Sequence, residues 1–207
     1  QPIFAQFQLS GGKNRKAKSH ADPNKVVLPP YYPDHPVLRQ DWAKYLDSWV
    51  KTDEEVGQIL ADLERAGRLD STAIFLWTDH GVSNLRGKQF LYEEGIRVPM
   101  IIRLPKKHRA GTERNDLIEH IDVAACSLKL AGIKIPDYVQ GRDFLAADHK
   151  PRKFVFAARD RCDETVDILR CVRDSRYKYL RNFMSHVPHA QPSQYKDGKK
   201  ILQVIRG

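Results

Sequence analysis

Two side chains able to hold a cation or move a proton stand next to each other at the end of an apolar run. Asp79 and His80 follow Ala73-Ile74-Phe75-Leu76-Trp77 and Thr78, and Gly81 comes directly after them. In open α/β sheets the carboxyl ends of the strands line the ligand crevice, so a carboxylate and an imidazole presented there reach one metal ion or one substrate together. The same residues also fit a plainer description, a turn in which Asp79 caps the following loop and His80 faces water. What tips the balance is Lys88, which follows Gly87, and the stretch Tyr92-Glu93-Glu94-Gly95-Ile96-Arg97-Val98-Pro99 that leads into the next apolar run. A cation returning beside a metal-binding carboxylate is what hydrolysis of a doubly charged oxyanion ester needs. Metal and ammonium together neutralise the charge that moves onto the leaving oxygen. Taken singly, Lys88 reads as a solvated lysine and Arg97 as an ion-pair partner.

These residues need a scaffold. Ala73 to Trp77 and Val98-Pro99-Met100-Ile101-Ile102 are apolar without alternation, the pattern of strands covered on both faces of a parallel sheet. Trp42, Tyr45, Leu46, Trp49, Val56, Ile59, Leu60 and Leu63 recur at three- and four-residue steps, so a helix is predicted from Asp41 to Ala66 with Gly67 as its stop. Its Trp42, Tyr45, Trp49 stripe reads as core. A second helix is predicted from about Asp116 to Leu130. Near the start, Ile3, Phe4, Phe7 and Leu9 predict a strand that runs into a basic loop with Lys13, Arg15, Lys16 and Lys18. That loop continues through the prolines of residues 23–36 as an extended surface segment. After residue 150 the character changes. Phe154 to Ala158, Asp167 to Arg173 and Arg176 to Arg181 read as antiparallel strands, with Asp174-Ser175 as a turn. The fold class is therefore α/β, a mostly parallel sheet flanked by helices with a small antiparallel C-terminal subdomain.

The run from Thr78 to Gly81, Gly87-Lys88 and Tyr92 to Pro99 resembles the second signature region of the sulfatase family. There a strand ends in Asp-His-Gly or Asp-Asn-Gly, a lysine follows, and a Gly-Ile-Arg-Val-Pro element enters the next strand. Leu28-Pro29-Pro30-Tyr31, Asp53-Glu54-Glu55-Val56-Gly57, Asp122, Ala131-Gly132-Ile133, Gly141-Arg142-Asp143-Phe144-Leu145, Val172-Arg173-Asp174 and Tyr177-Lys178-Tyr179 extend the likeness along nearly the whole chain. The resemblance implies an alkaline-phosphatase-like core whose C-terminal part is residues 1–150, with residues 151–207 as the small subdomain. It implies that Asp79 and His80 bind a divalent cation, calcium in most sulfatases, that Lys88 contacts the sulfate ester, and that the substrate is a sulfated small molecule or glycan. Calcium prefers oxygen, so the chemistry supports the carboxylate more strongly than the imidazole; His80 also suits a softer metal or the leaving-group oxygen.

The chain departs from the family pattern in two places. Sulfatases carry a Cys or Ser in Cys/Ser-x-Pro-x-Arg that becomes formylglycine, and Cys126, Cys162 and Cys171 have no such setting. The chain opens on Gln1-Pro2 without Met, which reads as a cut, and the formylglycine is expected in an amino-terminal part outside these residues. Where many relatives have a catalytic histidine the chain has Gly11-Gly12-Lys13-Asn14-Arg15. His20 reads as a surface histidine, and Lys13 or Arg15 as a substrate contact in its place.

Composition adds limits. The 207 residues carry 35 Lys plus Arg against 26 Asp plus Glu, a net charge of +9, which suits an anionic partner. No apolar run approaches the ~20 residues that span a bilayer. Oligomeric state and compartment are open, and a periplasmic or secreted location rests on the resemblance alone. Cys162 and Cys171 read as half-buried thiols that could pair if their strands are neighbours. The Lys199-Lys200 pair reads as solvated charge. Two other functions remain: a phosphoric or phosphonic monoester hydrolase of the same superfamily, and a non-catalytic module that binds polyanions through its basic surface.

Overall fold

The longest helix begins on a proline. In the computed structural model, which describes residues 3–83, 86–189 and 191–207 with the Cys162 side chain left out, α1 spans Pro36–Arg65. His35 caps it from an extended backbone, and its Nδ1 accepts the Val37 N–H at 3.2 Å. A proline at the first helical position loses no hydrogen bond there, so Pro36 forms the helix start, earlier than the expected Asp41. Beyond Ala66, Gly67 takes a left-handed φ of 63° and ends the helix.

The buried side of α1 is partly polar: Leu38, Ala43, Asp47, Ser48 and Thr52 are buried, while Leu46 and Val50 are exposed. Asp47 is satisfied by the basic loop, accepting the backbone N–H groups of His20 and Ala21 at 2.9 and 2.8 Å. This fastens the loop to the helix. Trp42, Tyr45 and Trp49 are half-buried and touch one another in sequence along the helix.

Strands β1 (Ile74–Trp77) and β2 (Met100–Arg103) pair antiparallel, from Ile74 opposite Arg103 to Trp77 opposite Met100. Both runs read as strands of a mostly parallel sheet, yet with each other they pair antiparallel. A parallel neighbour needs a crossover that carries the chain back to the other end of the sheet. The described residues between the two strands instead stay at the carboxyl end of β1, with the short helix α2 (Glu93–Ile96) among them. Ile3 to Leu9 pairs with nothing among the described residues, and Ile3 and Phe4 are exposed, so the expected first strand is an unpaired extended segment.

Helix α3 (His120–Leu130) starts later than predicted, at a capping box in which Glu119 and Asp122 serve each other's backbone. Asp122 is buried. Besides the Glu119 N–H it accepts the Arg142 N–H at 2.7 Å and the guanidinium of Arg152. Strands β3 (Val155–Cys162), β4 (Thr165–Arg173) and β5 (Lys178–Asn182) form an antiparallel sheet in that order, with the Asp174 carboxylate taking the Arg176 N–H at the turn. Cys171 is a free, buried thiol opposite Ala157 and Leu180, while Cys162 stands opposite Thr165, so the register does not join the two cysteines. The short helices α4 (Gln194–Asp197) and α5 (Lys200–Arg206) follow, and Ile201 and Leu202 bury themselves as α5 settles against α1. No described helix is long and apolar enough to cross a membrane.

Candidate functional site

The loop between β1 and β2 is held by two close backbone approaches. The Gly81 N–H donates to the Gly95 carbonyl at 3.0 Å, and a Cβ on Gly81 would stand 1.7 Å from the Glu94 carbonyl oxygen. Six residues on, the Lys88 N–H donates to the Val82 carbonyl at 2.8 Å, and a Cβ on Gly87 would meet the Val82 oxygen at 1.8 Å. Only glycine fits either place. These contacts return Lys88 to the segment that directly follows His80.

Asp79 is mostly exposed and accepts the His80 N–H at 3.1 Å, whereas the His80 ring is largely covered. His80 Nδ1 lies 2.7 Å from the Gly81 carbonyl oxygen. A carbonyl only accepts, so Nδ1 carries a proton, and in the neutral imidazole Nε2 has the lone pair. That Nε2 is buried, has no hydrogen-bond partner among the described residues, and lies 3.6 Å from Asp79 Oδ2. Thr78 Oγ1, on the other side of Asp79, is likewise buried and unpartnered. Unsatisfied buried polar atoms are uncommon and call for an explanation, and a lone pair converging with a free carboxylate oxygen fits part of a cation's coordination. Among the described residues no cluster of three or more His, Cys, Asp or Glu side chains has metal-binding geometry.

Lys88 is fixed from behind. The buried ammonium of Lys196 donates to the Lys88 carbonyl oxygen at 3.0 Å and lies 4.1 Å from the centre of the Phe90 ring. The next residue, Gln89, has a left-handed φ of 80°, a conformation that non-glycine residues keep only where the surroundings impose it. Glu93 at the start of α2 is bound by Lys178 and Arg173 from the C-terminal sheet; burial works to raise its pKa, but these two cations hold it below the ordinary carboxylate value. Lys178 also donates to the Leu91 carbonyl at 3.1 Å.

The C-terminal helices bring residues that no spacing in the sequence marked. Tyr195 OH and Ser83 Oγ are 2.7 Å apart, and Lys199 Nζ donates to the Ser83 carbonyl at 2.6 Å and to its hydroxyl at 3.1 Å. Lys88 Nζ and Lys199 Nζ each lie 4.5 Å from the centre of the Tyr195 ring. Lys199 is thus half-buried and hydrogen-bonded, not the solvated charge its sequence suggested. Burial lowers its pKa, and the nearby charges of Arg15 and Lys88 add to that. Arg15 itself is held by Asp41 and lies against the Tyr45 ring, whereas Lys13 is exposed. His20 is exposed, in keeping with a surface histidine.

Comparison with known proteins identifies the family. The sulfatase family profile matches residues 1–133, and that of the N-sulphoglucosamine sulphohydrolase C-terminal region matches residues 80–196. An ulvan-active sulfatase of Formosa agariphila is 37% identical over 182 residues, 87% of this chain and 30% of its own. An N-acetylglucosamine-6-O-sulfatase of Bacteroides thetaiotaomicron is 37% identical over 101 residues, 47% of this chain and 18% of its own. A solved structure of a protein in complex with its substrate D-glucosamine-2-N,6-O-disulfate superposes with a TM-score of 0.54 at 26% identity, over 70% of this chain and 32% of that one. A phosphonate monoester hydrolase from Silicibacter pomeroyi shares the fold, with a TM-score of 0.52 at 19% identity over 90% of this chain and 43% of that one. The chain spans under a third of the length of the curated relatives just named, and it belongs to the sulfatase family.

Proposed function

We propose that the complete protein hydrolyses sulfate esters and that this chain supplies Asp79 and His80 to a calcium site and Lys88 to the ester. The observation that carries the reading is the buried, unpartnered Nε2 of His80 beside Asp79 Oδ2. A bound divalent cation supplies Lewis-acid stabilisation of charge on the ester oxygens. Asp79 offers that cation an anionic oxygen, and the Gly81 carbonyl holds the His80 ring so that Nε2 faces inward. Lys88, on a backbone pinned by Val82 and Lys196, brings an ammonium that no carboxylate neutralises among the described residues. A sulfate monoester carries one negative charge, so a single ammonium with the cation is enough to balance it as charge builds on the leaving oxygen. The formylglycine that sulfatases use has no host in this chain, since Cys126 and Cys171 are buried and no cysteine precedes an x-Pro-x-Arg. We place that nucleophile in a part of the protein outside these residues. We also propose that residues 1–150 belong to the catalytic core and residues 151–207 form the small C-terminal subdomain.

The test uses the complete protein with an aryl sulfate. Chelation is expected to abolish turnover at constant ionic strength, with calcium restoring it, and Asp79→Ala to lower kcat/KM by roughly a thousandfold, on the order of the several kcal/mol that Lewis-acid stabilisation provides. Faster turnover of the matching aryl phosphate would point to a phosphoester hydrolase instead. Indifference to the chelator together with steep loss of ligand binding in salt would leave only a polyanion-binding module.

A further inference from the structure

Lys88 needs one anion, yet it does not stand alone. We propose that Lys88 and Lys199 form one anion-binding site at the Tyr195 ring, with exposed Lys13 adding its charge, that takes a second anionic group on the substrate, a carboxylate or a further sulfate, beside the ester bound by Lys88. The inference rests on the sulfate-ester reading above and extends it to the substrate's charge pattern.

Two ammonium groups, Lys88 Nζ and Lys199 Nζ, each approach the same aromatic ring to 4.5 Å. A ring's quadrupole attracts each cation but does not cancel their mutual repulsion. Among the described residues neither ammonium pairs with a carboxylate, and Lys13 has none either. Arg15, also close by, is different: Asp41 and the Gly12 carbonyl engage it, so it belongs to the scaffold. The loop at residue 88 and the segment before α5 therefore bring two ammonium groups to one ring, and the single carboxylate whose charge reaches Lys199, Asp41, is already paired with Arg15.

Lys199 cannot swing away at no cost. Its ammonium is held by both oxygens of Ser83, and Ser83 in turn bonds the Tyr195 phenol. Burial raises the pKa of that phenol, but the Ser83 bond and the charges of Lys199, Lys88 and Lys13 outweigh it and hold the phenol below its ordinary value. The whole group thus sits in a positive field that an anion would relieve. One sulfate monoester and a metal ion account for Lys88 and leave the charges of Lys13 and Lys199 over, so the ligand that balances the site carries at least one more negative charge.

Calorimetric titration of the complete, calcium-loaded protein tests this with sulfonates, which are not hydrolysed. Methanesulfonate is the singly charged probe. Ethane-1,2-disulfonate presents a second sulfonate, and sulfoacetate presents a carboxylate. The doubly charged probes are expected to bind about tenfold more tightly, roughly one added ion pair in a part-buried site, and whichever of the two binds better identifies the group. In Lys199→Met and in Lys13→Met that preference is expected to fall towards unity, and Lys199→Arg to keep it. A thermal midpoint within a few degrees of the parent shows that each variant is folded, and Lys13, being exposed, keeps the test open if Lys199→Met is not. Equal binding of all three probes by the parent, or an undiminished preference in both methionine variants, overturns the second anion site while leaving the sulfate-ester reading intact. Failure of every probe to bind, with aryl sulfate still turned over, overturns it too; failure of both binding and turnover overturns the functional reading itself.

Discussion

The ammonium of Lys196 and the carbonyl of Lys88 meet at 3.0 Å across 108 residues of sequence, so the last short helices of the chain set the backbone of the loop that carries the candidate ester contact. Lys196 is buried and also lies over Phe90, which leaves it no freedom to drift. Lys196 thus reaches the proposed ester contact only through the Lys88 backbone.

Lys196→Met is accordingly expected to lower kcat/KM on an aryl sulfate by about tenfold, equivalent to one charge-assisted hydrogen bond of about 1.5 kcal/mol. Lys196→Arg, which keeps a donor, should recover part of the loss. A pure stability defect would lower the thermal midpoint and leave the kinetics of the folded fraction unchanged, so both are measured on the same preparations.

Gly81→Ala places a methyl group where the Glu94 carbonyl already stands. The loop must open to admit it, at a cost of about 1–3 kcal/mol typical of overpacking. Urea denaturation should show the loss as a lower midpoint at an unchanged slope.

Asp122 and Arg152 form a buried ion pair at the start of α3, with side chains 2% and 7% exposed. Without Arg152 the buried Asp122 charge keeps only the backbone N–H groups of Glu119 and Arg142, whereas Arg152 without Asp122 still has Glu119. Arg152→Met is expected to destabilise the fold by about 3–5 kcal/mol, and the double variant with Asp122→Asn by less than the sum of its parts. A double-mutant cycle in urea measures the coupling; additive effects would show that the two side chains do not depend on each other.

Stability should fall with acidification in two stages. Burial, aided by the charge of Arg86, lowers the His189 pKa below 6.5, so the unfolded chain takes up a proton that the folded chain resists as pH drops through 6.5. Glu93 behaves in the same direction but lower. Its depressed pKa gives stability that is complete above 4.5 and drains as pH falls through the folded value. Denaturation midpoints across pH should lose the first stage in His189→Phe and the second in Glu93→Gln.

The strand expected at Ile3 to Leu9 does not pair and the short α2, α4 and α5 were not foreseen, but the two long helices and the remaining strands were readable from hydrophobic spacing, as was the turn at Asp79 and His80. The direction of β2 was not. Apolar runs report burial, and a run such as Val98 to Ile102 has the same composition whichever way it pairs; the short return through residues 78–99 decided it. Lys88 could be picked out because it lies within ten residues of His80. Tyr195 and Lys199 could not, since their place depends on Ile201 and Leu202 drawing α5 against α1, a contact with no local signature. Pro36 misled for the opposite reason: proline breaks a helix interior but suits its first turn.

The two-stranded pairing of β1 and β2 has a practical consequence. Both outer edges of that ribbon are open among the described residues, and its Ile101 is 66% exposed. Unpaired edges with apolar side chains accept foreign strands readily. Produced by itself at high concentration, the 207-residue chain is expected to self-associate, and light scattering against concentration, with and without Ile101→Lys on β2, would register the sheet's demand for a neighbour.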